Sequence, residues 1–297
     1  MSYDSALRPA DWDSYIGQRT LKERLGISIE SSLTRGEPLD HVLLFAPPGV
    51  GKTSLAGLIA QELMANLTTR VCPVPIKLIY TLLMEVGEVI FLDEFHRLPK
   101  KDQESLLSVL EDRKIQFDNG NFQPIERPFT IIAATTELSG VIKPLRERFV
   151  HRPKFEMYTD DDMATIIYRM CHRLGLDPTR DDAVALGRAS AGVPRQARNL
   201  ALTARDIGST RINDVLEVAG ITPEGYTEDH ISYLQALMRL NGIGGVEILT
   251  NYLNQPKDSL LDLEHLLIRT GCIEYTPKGR SLLLHGMNVA QTYGAER

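Results

Sequence analysis

The 297-residue chain, 43% hydrophobic and 24% charged, has the make-up of a soluble globular protein with room for about two domains. Its net charge of −6 excludes a globally basic nucleic-acid binder, so any such contact must come from local patches or from an oligomer that gathers a few basic residues. Three widely spaced cysteines without a C-x-x-C pair exclude a disulfide framework, and with no apolar run of about 18 residues and no leader-like N-terminus a cytoplasmic protein without membrane contact is expected.

Residues 7–18 form a polar entry segment that ends in a Gly turn; its Trp12, the only tryptophan, reads equally well as a packing residue. Leu21, Leu25, Ile29 and Leu33 then recur at helical spacing and predict a helix ahead of the first strand. The apolar run His41-Val42-Leu43-Leu44-Phe45 predicts a buried parallel strand, and Leu55, Ile59 and Leu63 predict a helix after it. Between them lies Ala46-Pro47-Pro48-Gly49-Val50-Gly51-Lys52-Thr53, followed by Ser54. Strand, Gly-rich loop and helix in that order make a phosphate-binding loop. Backbone N–H groups of residues 48–51 and the helix N-terminus would cradle the phosphates of ATP, Lys52 would add a point charge, and Thr53 would offer its hydroxyl to Mg²⁺. Ala46 stands where the strict pattern has Gly, which fits as long as the backbone there keeps φ negative.

Residues 67–86 predict a strand and a short helix. Val89-Ile90-Phe91-Leu92 then runs into Asp93-Glu94, the second half of an ATPase site, on a strand expected beside that of the phosphate loop. Asp93 would hold the Mg²⁺ shell and Glu94 would orient and deprotonate the attacking water; the bland alternative is a strand followed by an acidic helix cap. His96 completes a D-E-x-H box of little weight by itself. A helix is predicted over 99–112, a hairpin around Asp118-Asn119-Gly120, and a buried strand over Thr130–Ala134 ending in Thr135-Thr136. A polar residue at that tip would lie between the two halves of the nucleotide site. Arg146 and Arg148 follow on a short helix, as a solvated basic face or as an arginine finger for a neighbouring subunit.

From Thr159 strand signals give way to amphipathic helices over 160–174, 181–190, 194–207 and 212–219, with Arg195 at the start of the third. After a break at Thr222-Pro223-Glu224-Gly225, helices over 228–240, 245–253 and 258–270 precede two β-like runs, 272–275 and 281–284, around the turn Thr276-Pro277-Lys278-Gly279-Arg280. Three helices and a basic-tipped hairpin describe a winged helix, yet from Thr227 onward six Lys/Arg face eight Asp/Glu, so charge alone argues weakly for DNA. The reading is an α/β P-loop domain at 1–158, a helical lid at 159–222 and a winged helix at 223–297.

Leu7-Arg8-Pro9, Ile16-Gly17-Gln18, the phosphate loop, Asp93-Glu94-Phe95-His96-Arg97-Leu98, Ala134-Thr135-Thr136, Pro144-Leu145-Arg146-Glu147-Arg148-Phe149 and Thr276-Pro277-Lys278-Gly279-Arg280 together resemble the RuvB family of AAA+ branch-migration motors, in order along nearly the whole chain. The resemblance implies a ring, commonly a hexamer, that drives double-stranded or junction DNA by ATP hydrolysis. It implies Thr136 as the polar sensor, Arg148 as the finger acting in trans, and Arg195 as the lid arginine. Leu7, Arg8 and Tyr158 would line the adenine and ribose pocket, while Arg280, Lys278 and more loosely Lys257 would meet the DNA backbone. Tyr275 replaces another wing arginine of the family, and a short hairpin leaves a RuvA-like partner open. A clamp-loader or helicase-loader switch acting on proteins is the rival reading.

Overall fold

The computed structural model describes residues 7–86, 88–117 and 120–294, which divide into two compact units, one ending at Thr159 and the other starting at Asp160. The predicted turn pair Asp118-Asn119 lies outside the described residues.

The first unit begins with helix α1 (Arg19–Arg35), strand β1 (Val42–Phe45) and helix α2 (Lys52–Glu62). Strand β2 (Leu67–Val71), helix α3 (Ile76–Glu85) and strand β3 (Glu88–Asp93) come next, then a 3-10 turn at Phe95–Arg97 and helix α4 (Lys100–Asp112). A small hairpin of β4 (Lys114–Gln116) and β5 (Phe122–Pro124) leads to β6 (Phe129–Thr135) and the short helix α5 (Lys143–Arg148). Four strands form a parallel sheet in the order β1-β6-β3-β2. This corrects one expectation: β3 does not flank the strand of the phosphate loop, because β6 is inserted between them and pairs with both.

Why the strands read as unbroken apolar runs is visible in their two faces. Along β3 and β6, Ile90, Leu92, Ile131 and Ala133 point to a core shared with Ile79 and Leu83 of α3 and Leu106 and Val109 of α4. The alternate residues Val89, Phe91, Ile132 and Ala134 point to a second core with Leu21, Leu25 and Ile29 of α1 and Leu55 and Ile59 of α2. A sheet covered on both sides leaves no face for polar residues, so the period-two signal disappears. Trp12 packs at the edge of the second core.

The second unit opens with four helices, α6 (Asp160–Arg173), α7 (Arg180–Ala189), α8 (Pro194–Ile207) and α9 (Ile212–Ala219). They bury Met163, Ile167, Leu186, Leu200 and Val215. The start of α7 is fixed by Thr179, whose side chain accepts the Asp182 N–H at 3.1 Å. Helices α10 (Glu228–Arg239), α11 (Val246–Leu253) and α12 (Lys257–Arg269) follow, with strands β7 (Ile243–Gly244), β8 (Ile273–Thr276) and β9 (Gly279–Leu282), and a last helix α13 (Leu284–Gly294). The strands form an antiparallel sheet in the order β7-β9-β8.

Here the structure departs from expectation in two ways. Residues 284–294 form a helix that closes the winged-helix core through Val289 and Ala290. And β9 begins at Gly279, so only Pro277 and Lys278 make the turn while Arg280 is a strand residue paired with Tyr275. All three cysteines are buried and unbridged. No described helix is long and apolar enough to cross a membrane.

Candidate functional site

The loop between β1 and α2 has the backbone its role requires. Gly49 and Gly51 sit at φ 81° and 105°, conformations that a side chain disfavours, and a Cβ on Gly51 would come within 3.0 Å of the Tyr15 hydroxyl. Ala46 is not among the positive-φ residues, so the alanine is accommodated; it is buried and its N–H donates to the Thr135 carbonyl of β6 at 3.3 Å. The Lys52 ammonium folds into the loop and donates to the carbonyls of Ala46 at 2.7 Å and Pro47 at 3.0 Å. From the first turn of α2, Thr53 donates its hydroxyl to a carboxylate oxygen of Asp93 at 3.4 Å, which brings the two sequence motifs together.

Asp93 ends β3, and its other carboxylate oxygen accepts the N–H of Glu94 at 2.9 Å. Glu94 is held at φ 51°, a left-handed backbone that costs a non-glycine residue about 1–2 kcal/mol. That strain aims its side chain away from the strand line toward His96, whose Nδ1 lies 3.6 Å from the Glu94 carboxylate and 3.0 Å from the Thr135 hydroxyl. Because β6 lies between β1 and β3, the Thr135 tip touches both halves of the site. Thr136, half-buried, is the next residue past the strand.

Two chain segments wrap the loop. The Tyr158 hydroxyl donates to the Val50 carbonyl at 3.1 Å. The buried side chain of Gln18 exchanges two hydrogen bonds of 2.8 Å with the backbone of Glu156, tying the entry segment to the end of the unit. Burial first, and the Tyr158 hydroxyl second, push the Tyr15 phenol well above its usual range. Leu7 is buried and Arg8 exposed; Arg8 lines a cavity of about 230 Å³ with Thr53, Ser54 and Gly57. Leu7 and Tyr158 are not on that cavity's wall.

Arg148, at the end of α5, donates to one Glu111 oxygen at 2.8 and 3.0 Å across a half-exposed ion pair. Arg195 is exposed at the start of α8 in the second unit.

In the winged helix, Lys257 and Lys278 are exposed, whereas Arg280 is half-buried. Its guanidinium makes a two-point contact of 2.8 and 3.0 Å with Glu264 of α12, which is 0% exposed. The same carboxylate accepts the hydroxyls of Tyr233 at 2.7 Å and Tyr275 at 2.5 Å. Burial and the carboxylate together push the Tyr275 phenol up to about 12. Nothing in the local sequence flagged Glu264, a single acid in an amphipathic helix.

A parallel sheet with a phosphate loop after β1, an acidic pair after β3 and a polar tip on the strand between them defines a P-loop nucleoside triphosphatase of the AAA+ class, here carrying a C-terminal winged helix. The description "Holliday junction DNA helicase RuvB P-loop domain" matches residues 7–155, and "RuvB C-terminal winged helix domain" matches residues 223–291. The branch migration complex subunit RuvB of Nitratiruptor sp. is 33% identical over 95% of this chain and 91% of its own length. That of Desulfosudis oleivorans is 35% identical over 93% and 87%. The solved RuvB branch migration motor of Thermotoga maritima superposes with a TM-score of 0.86 at 32% identity, covering 96% of this chain and 98% of that one. The chain belongs to the RuvB family. It is a nucleotide-binding ATPase of that family.

Proposed function

We propose that the chain is the ATP-driven motor of Holliday-junction branch migration, working in the cytoplasm as a homo-oligomeric ring, a hexamer on the family pattern, on double-stranded or junction DNA. The observation that carries the reading is the meeting of Thr53 and Asp93 with Glu94 beside them, in a chain whose relatives are named as branch migration subunits.

In this reading Lys52 exchanges its two loop carbonyls for the phosphates of ATP, and the N–H groups of residues 48–51 cradle them. The Thr53 hydroxyl and the Asp93 carboxylate fit Mg²⁺, a hard cation that takes one or two carboxylates plus substrate phosphates, and no cluster of three or more acid, His or Cys ligands exists among the described residues. Bound there, Mg²⁺ would neutralise phosphate charge. Glu94 accepts a proton from the attacking water, Ser54 adds to the nucleotide contacts, and Leu7, Arg8 and Tyr158, on the family pattern, seat the nucleoside side. Thr136 as sensor, Arg148 as the finger offered to a neighbouring subunit and Arg195 as the lid arginine follow the family pattern. So do a division into domains 1–158, 159–222 and 223–297, supported by the spans of the two family matches, and DNA contacts through Arg280, Lys278 and more loosely Lys257.

ATP turnover measured alone, with linear duplex and with a four-way junction tests this directly. Stimulation by DNA, greatest with the junction, is expected. Turnover that ignores both DNAs would point to a switch acting on proteins.

A further inference from the structure

One polar side chain to which no role has been given, the last of the D-E-x-H box, links the two strand tips of the site. His96 stands on the 3-10 turn just after Glu94, with Nδ1 facing Thr135 at 3.0 Å and Glu94 at 3.6 Å. The Thr135 hydroxyl has a single proton, which it donates to the Glu137 carbonyl at 2.9 Å, while its oxygen accepts the Glu137 N–H at 3.0 Å. The contact to His96 is satisfied when Nδ1 carries the proton and donates it. A bare Nδ1 would also aim its lone pair at the Glu94 carboxylate.

The turn that carries the ring is held in place. A Cβ on Gly140 would come within 2.7 Å of the His96 Cβ, so the loop after β6 lies directly against it. That loop is clamped to the 3-10 turn by the fully buried Gln103, which donates to the carbonyls of Leu98 at 2.8 Å and Gly140 at 2.9 Å and accepts the Ile142 N–H at 2.9 Å.

We propose that His96 is a positioning residue for hydrolysis: with its Nδ1–H donated to Thr135, the ring stands as a fixed polar wall 3.6 Å from the Glu94 carboxylate and sets how closely that carboxylate approaches the tip of β6. The inference rests on the reading of Glu94 as the base. Its consequence is a split between binding and chemistry, because His96 touches neither the phosphate loop nor the Thr53–Asp93 pair. A base misplaced by about 1 Å loses up to about a hundredfold in rate.

The test compares the full-length wild type with His96→Ala, His96→Asn, His96→Asp and Glu94→Gln, measuring kcat and nucleotide affinity for each and confirming fold by thermal melting. His96→Ala should lower kcat about ten- to a hundredfold with affinity unchanged. Asn keeps an N–H at the δ position and should restore most of the rate. Asp has the same size but sets a second carboxylate against Glu94, and should be as slow as Ala. An unaltered kcat in His96→Ala, or equal rates for Asn and Asp, overturns the inference alone. Normal hydrolysis by Glu94→Gln would instead remove the base assignment, and this inference with it.

Discussion

Lys52 and Arg280 are both cations at places where a phosphate contact is expected, and the protein uses them in opposite ways. Lys52 donates to two neutral carbonyls of its own loop, bonds of about 1.5–3 kcal/mol each that a phosphate, itself charged, can replace. Arg280 is locked to Glu264, a carboxylate with no exposure that also holds two tyrosines. Withdrawing the arginine from it would leave a buried charge uncompensated, a cost of about 3–5 kcal/mol. A basic residue is available to a ligand only when its resting partner can be given up cheaply. The motif shows the cation, but its partner decides the role.

The sharpest way to break this comparison is Lys52→Ala. Nucleotide affinity should fall by two orders of magnitude or more, since truncating one partner of a desolvated charge contact costs about 2–5 kcal/mol, while the melting temperature moves little. Loss of the fold with affinity retained in the surviving protein would reverse the assignment.

Arg280→Ala should do the opposite, lowering the stability of the winged helix by about 3–5 kcal/mol, and Glu264→Ala should match it. Lys278→Ala, at the exposed turn, should leave the melt unchanged and reduce the salt dependence of duplex binding by about one released ion. If Arg280→Ala melts like the wild type and weakens only DNA binding, the arginine is a surface contact and the contrast fails.

A further expected effect concerns pH and separates the units again. His41, stacked on Phe129, accepts the Ile131 N–H at 3.1 Å, and burial first and Arg113 second lower it to about 4. The folded form binds its proton less readily than the unfolded chain, whose histidine titrates near about 6.5. Its contribution is therefore complete above about pH 6.5 and is lost as pH falls toward 4, by up to about 1.4 kcal/mol per pH unit. Melts at several pH values should show that decline in the first unit, and His41→Asn, which keeps an acceptor and cannot titrate, should flatten it. His230 in the second unit, also lowered to about 4 by burial, keeps its own decline in that variant.

What could be read from the sequence was whatever a short window contains. The phosphate loop, the acidic pair and the helices of the second unit each declare themselves within about a dozen residues. Sheet order does not, because nothing inside β6 says that it enters between β1 and β3. The family pattern pointed to Thr136 at the strand tip, while the neighbouring Thr135 turns inward to His96. β7, with two residues, is below any periodic signal. The place of Arg280 was not legible for a geometric reason: a turn three residues shorter than expected makes it a strand residue, and strand alternation sends its guanidinium to Glu264 of α12.

The alanine at the mouth of the phosphate loop has a thermodynamic consequence of its own. At a position whose native backbone suits any residue, alanine in place of glycine restricts the denatured ensemble and favours the folded one by about 0.4–1 kcal/mol. Conformational latitude is thereby withheld from the loop's first residue and kept at Gly49 and Gly51, where only glycine can follow the turn without strain.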